Sequence, residues 1–173
     1  REDIYFDASA VDDCIEFISQ MKHFLGSSAG KNFNLEPWQQ MIIAHVIGLK
    51  WKSNGLRITR DLFVLIARKN GKSSLIAALA LYMLIADGEA APYISCVASS
   101  RDQAGIIFNM IKEYGKTLDP KGDAIKHFRN YINFPSNMGT VKVFSSDSAK
   151  LDGLNVSLGI LDEGHAQKDN LLY

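Results

Sequence analysis

An α/β fold, three-layered around a mostly parallel sheet with flanking helices and a β-hairpin, is what this 173-residue chain predicts. Three observations predict it. An unbroken apolar run at residues 62–66 breaks into a polar loop and is followed by an apolar helical stretch. A second apolar segment, Tyr93–Ala98, is again followed by helical sequence, and a third, at 156–161, ends in two adjacent carboxylates. Strands that alternate with helices pair in parallel, because the helix carries the chain back to the end of the sheet where the last strand began.

Taken in order, residues 10–24 place Val11, Ile15, Ile18 and Met21 at helical spacing, with acids at the front end. A loop follows at 26–31. A second helix opens over 35–40 and is expected to reach about Trp51; Pro37 sits in its first turn, where a missing N–H does no harm. Residues 53–55 end it. Residues 62–66 read as a buried strand, and the stretch from Ser74 to about Ala86 as a helix. Tyr93–Ala98 reads as a strand, and the helix from Arg101 to about Lys116 is expected to be capped by Ser99 or Ser100. A turn at 119–122 precedes two segments, 130–134 and 140–144, that alternate in period two around 135–139, a β-hairpin. A polar loop, 145–155, leads to the acid-bearing strand. There is no repeat and no low-complexity stretch, so the expectation is one domain over 1–173, with an N-terminal helical segment, 1–55, and a core, 56–173.

Composition excludes some classes. With 47% hydrophobic and 22% charged residues the chain reads as an ordinary globular protein. Nineteen basic and nineteen acidic residues balance, so no global field advertises nucleic acid or membrane. Two local basic clusters, Lys50, Lys52, Arg57 and Arg60, then Lys121, Lys126 and Arg129, read as solvated surface. Cys14 and Cys96 form no C-x-x-C and read as buried thiols in a reducing compartment. The longest apolar run, 75–86, is too short to cross a bilayer. The chain opens Arg1, Glu2, Asp3, with no signal peptide and no initiator methionine, which reads as an internal fragment.

The chemistry sits in the loop at 67–73. Gly71 lets the backbone approach a phosphate, and successive N–H groups of Lys69, Asn70 and Gly71, with those of Lys72, Ser73 and Ser74 at the helix start, form a cradle. Lys72 would place its ammonium near the β- and γ-phosphates, and Ser73 its hydroxyl on Mg²⁺. Strand, loop and helix N-terminus are the parts of a P-loop, but the position five before Gly71 is Ile66, where the full pattern has glycine. About ninety residues downstream of Lys72, Asp162 and Glu163 end an apolar strand. Acids there are either solvated or at work. In a nucleotide hydrolase the first holds Mg²⁺, usually through water, and the second polarises the attacking water.

Four segments in this order resemble the ATPase domain of large terminase subunits, the motors that package DNA in tailed bacteriophages. Residues 33–39, ending in Gln39, resemble the family's adenine-binding segment. Residues 67–73 resemble its deviant P-loop, with Arg68 inside it. Residues 98–104 resemble the strand-to-helix segment that follows, and residues 151–155 with 161–165 resemble the approach to its acidic motif. The resemblance implies a P-loop nucleotide hydrolase of the additional-strand type, with ATP and Mg²⁺ as its ligands. Gln39 would bind adenine, Arg68 would reach the γ-phosphate, Glu163 would be the catalytic base and Asp162 the Mg²⁺ anchor. Lys150 would be a candidate finger reaching a neighbouring subunit, and His165 a coupling or a structural histidine. Implied partners are double-stranded DNA, a portal protein, a small terminase subunit and further copies in a ring, without membrane contact. The implied place is the bacterial cytoplasm, transiently docked on a procapsid. The family's nuclease domain, and the extra strand that lies between the P-loop strand and the acid-bearing strand, are expected to be absent from this chain. Poor hydrolysis by the chain alone is the corollary. Three alternatives stand beside this reading: a helicase- or restriction-type translocase, a non-hydrolysing nucleotide-binding scaffold, and a small-molecule kinase, for which no acceptor site is visible.

Overall fold

A computed structural model describes residues 3–67, 69–98, 101–145 and 155–161, without the side chains of 101–104 and 145. Two compact units divide the chain, 1–75 and 76–173.

In the first unit, β1 (Ile4–Phe6) pairs antiparallel with β2 (Leu49–Trp51). Between them lies α1 (Ala8–Ser19), which buries Val11, Cys14 and Ile18 along one stripe. Asp7 caps it by accepting the Ala10 N–H at 3.1 Å, and its other oxygen takes the Lys50 ammonium at 2.7 Å. The hydrogen bond from Lys50 and that from Ala10 together hold the Asp7 carboxyl below the usual range. The second helix, α2 (Pro37–Ile43), is shorter than the sequence indicates. It widens into π-helical turns over Ala44–Gly48 and passes directly into β2. A Cβ on Gly48 would stand 2.5 Å from the Phe6 ring and 2.7 Å from a Val11 methyl, so the backbone must be bare there.

The apolar run at 62–66 is not a buried strand. It has no regular secondary structure and no ladder partner among the described residues, and Phe63 is 87% and Leu65 84% exposed. Apolar content reports what a segment would gain by burial; it does not supply the neighbouring strand.

In the second unit the sheet order is β4-β5-β6-β3-β7, with β3 at Tyr93–Ala98, β4 at Lys126–His127, β5 at Tyr131–Phe134, β6 at Gly139–Ser145 and β7 at Leu158–Leu161. β6 and β7 flank β3 in parallel, whereas β4, β5 and β6 pair antiparallel. The sheet is therefore mixed rather than mostly parallel. Short connections after β4 and β5 leave no room for a crossover, so those strands must reverse direction. α3 (Lys72–Ile85) begins in the first unit and continues in the second, and it is buried on nearly all sides from Leu75 to Leu84. α4 (Arg101–Leu118) packs on β3 and β6 through Ile107, Ile111 and Tyr114. The Ser99 and Ser100 caps lie outside the described residues.

Candidate nucleotide site

The local geometry of the loop comes from two left-handed residues. Lys69 has φ +68° and Gly71 φ +78°, with Asn70 between them at negative φ. Such alternation turns successive N–H groups toward one side, which is the backbone form of an anion nest. Lys69 adopts it at a steric cost that glycine would not incur. Asn70 ties the neck of the loop by donating from Nδ2 to the Ala67 carbonyl at 3.2 Å. The Gly71 carbonyl then accepts the Leu75 N–H at 3.0 Å and starts α3. Lys72, Ser73 and Ser74 form the first turn of that helix and are partly exposed, so their N–H groups point out of its positive end.

Gln39 comes to this loop from α2. It is 4% exposed, and its Oε1 accepts the Glu36 N–H at 2.9 Å, closing a capping box at the start of the helix. Its Nε2 faces the loop: a Cβ built on Gly71 would lie 3.3 Å from it. Gln39 and Gly71, thirty-two positions apart in sequence, are thus neighbours in space. Residue spacing alone does not give that contact. The cap itself was readable, since Glu36 and Gln39 stand at capping-box spacing.

Of the other expected site residues, Arg68, Asp162 and Glu163 lie outside the described residues, as do Lys150 and His165. β7, parallel to β3, ends at Leu161, the residue before Asp162. Among the described residues no group of three or more His, Cys, Asp or Glu could hold a metal. Cys96 is no nucleophile, because burial pushes its thiol up to about 12. No helix among the described residues is long and apolar enough to cross a membrane.

With this geometry in hand, residues 37–173 match the family model described as terminase large subunit, ATPase domain. The chain belongs to the terminase large-subunit ATPase family. Its relatives include the large terminase subunit of Enterobacteria phage HK97, 34% identical over 145 residues, covering 80% of this chain and 27% of that protein. The large subunit of Lactococcus phage p2 is 23% identical over 139 residues, covering 78% of this chain and 26% of its own length. The fold agrees. The crystal structure of the HK97 large terminase matches with a TM-score of 0.69 and 29% identity over 88% of this chain and 31% of that one. This terminase ATPase chain therefore spans little more than a quarter of the curated relatives it matches. Family membership makes an ATPase domain, and so nucleotide binding, the setting for the nest at 69–71.

Proposed function

We propose that this chain is the ATP-hydrolysing part of a phage packaging motor, a P-loop nucleotide hydrolase of the additional-strand type that drives double-stranded DNA into a procapsid. The observation that carries the reading is the left-handed pair Lys69 and Gly71 immediately before the α3 N-terminus, with the buried Gln39 amide against it. Backbone N–H groups at 69–74 take the β- and γ-phosphates, and the Lys72 ammonium neutralises charge that spreads over the phosphoryl oxygens during transfer. Ser73 and Asp162 offer the hard oxygen donors that Mg²⁺ prefers and would hold it; the ion supplies further charge neutralisation when bound. Glu163 orients a water for in-line attack and takes its proton, and Arg68 senses the γ-phosphate through its planar fork.

Gln39 can serve adenine without leaving its cap. Its carbonyl oxygen has a second lone pair and its amide two hydrogens, which match the donor and acceptor edge of the base. In the same reading the motor assembles as a ring on a portal protein with a small terminase subunit, in the bacterial cytoplasm. Glu163→Gln in the full-length protein tests the mechanism. It should bind Mg-ATP as the unmodified protein does while releasing no phosphate; turnover at the unmodified rate would remove Glu163 from the role of base.

A further inference from the structure

The two faces of the five-stranded sheet differ in chemistry. His127, Ile132, Val141 and Ile94 share one face by register, and a Cβ on Gly115 of α4 would lie 2.9 Å from the His127 ring, which marks this as the helix-covered side. The alternate residues stand on the other face. Among them Lys126, Phe128, Tyr131 and Lys142 are exposed. Phe128 donates its N–H to the Tyr131 carbonyl at 2.9 Å across a two-residue turn, Arg129 and Asn130, and the two rings stack with centroids 4.2 Å apart and planes 13° from parallel. Lys142 is the register partner of Tyr131, and its ammonium lies 5.6 Å over the Tyr93 ring. Lys112 reaches the same turn from α4, donating to the Phe128 carbonyl at 3.2 Å.

We propose that this face of β4, β5 and β6 is a nucleic-acid contact, with Lys126, Arg129 and Lys142 on phosphates and the Phe128–Tyr131 stack against the sugar edges between them. The proposal rests on the motor reading for the choice of duplex DNA, but its chemistry is local. Between Lys126 and Lys142 the face carries Phe128, Tyr131, Asn133 and Thr140, and among the described residues its register positions hold no carboxylate. The nearby Asp119 is engaged elsewhere, accepting the N–H groups of Asp123, Ala124 and Ile125. Cations spaced along a flat surface and separated by aromatic rings complement a strand that alternates anionic phosphate with weakly polar sugar. The stacked pair also steadies the hairpin, and Phe128, 44% exposed, and Tyr131, 38% exposed, still present ring surface to solvent.

The test uses the full-length protein and a fluorescein-labelled duplex, followed by anisotropy over a range of salt concentrations. The triple variant Lys126→Gln, Arg129→Gln, Lys142→Gln should bind more weakly. Its slope of log affinity against log salt should be shallower by about 2.7, at about 0.9 per phosphate contact. Phe128→Leu should weaken binding with the slope unchanged. If the triple variant melts early, Lys142→Gln alone should lower the slope by about 0.9. Unchanged affinity and slope would overturn the proposal. So would unchanged DNA binding with lost co-assembly with another packaging protein, which would make this face a protein contact. Failure of the ATPase reading looks different: Glu163→Gln would then keep its turnover, whatever the DNA slope shows.

Discussion

Replacing Gly71 by alanine tests the cradle most directly. At φ +78° a Cβ costs about 1–2 kcal/mol, because it crowds the following carbonyl. It would also meet Gln39 Nε2 at 3.3 Å. The amide could yield by a few tenths of an ångström, but its oxygen holds the Glu36 N–H at 2.9 Å, so yielding strains the α2 cap. The cost can surface in two ways. If the loop keeps its shape, the protein loses stability; if Gly71 relaxes to negative φ, the N–H groups turn away and nucleotide affinity falls. With all of the strain expressed in binding, 1–2 kcal/mol corresponds to a roughly 5–30-fold weaker Kd for ATP. Lys69→Gly is the control. It relieves left-handed strain at φ +68°, offset by about 0.4–1 kcal/mol of added unfolded-state entropy, so ATP affinity should not fall. Titration of a fluorescent ATP analogue with Mg²⁺, run beside thermal melts of each full-length variant, separates the two routes. Gly71→Ala with both affinity and melting temperature unchanged would refute the left-handed cradle.

Other outcomes follow from the same structure. Burial first, then the neighbouring Lys112 and Lys116, holds the His127 imidazole below 6.5, and neither ring nitrogen has a hydrogen-bond partner among the described residues. The unfolded chain therefore binds the extra proton first: stability is full above 6.5 and is lost as pH falls through that value. Urea midpoints at pH 7.5 and 5.5 should differ more for the unmodified protein than for His127→Leu, and an identical difference would sink the assignment. Gly48→Ala should cost about 1–3 kcal/mol by overpacking against Phe6 and Val11, read as a lower melting temperature and partly restored when combined with Phe6→Ala.

How much of this was legible depended on whether the deciding contact was local. α3 and α4 could be read from sequence because long apolar periodicity carries through many turns, and β3 and the β5–β6 pair because each holds four or more strand residues. β1 and β2 could not. Three-residue strands hold too little pattern, and Leu49–Trp51 become strand only through pairing with Ile4–Phe6, more than forty positions away. The same limit governs the site. The Gly71, Lys72, Ser73 turn was visible because backbone preference is set within a few residues. The approach of Gln39 to Gly71 was implied only by the family resemblance, and the exposure of Phe63 not at all, since both depend on partners that a local window does not contain.

That asymmetry bears on how capture and hydrolysis divide. The left-handed pair, the Asn70 tie to Ala67 and the Gln39 neighbour all lie within residues 1–75, and none of them needs a sheet ladder at 62–66. Shape in the cradle is therefore set by two left-handed residues, one local hydrogen bond at 3.2 Å and one buried amide. Turnover asks for more, because the proposed base follows β7, whose position is fixed by four register pairs with β3. Capture should accordingly survive changes that abolish hydrolysis. A chain that binds the ATP analogue normally yet turns over slowly, with Gly71→Ala failing at binding and Glu163→Gln failing only at turnover, is the pattern this division requires. Loss of binding in Glu163→Gln would contradict it, because a carboxylate carried by another element would then be shaping the cradle.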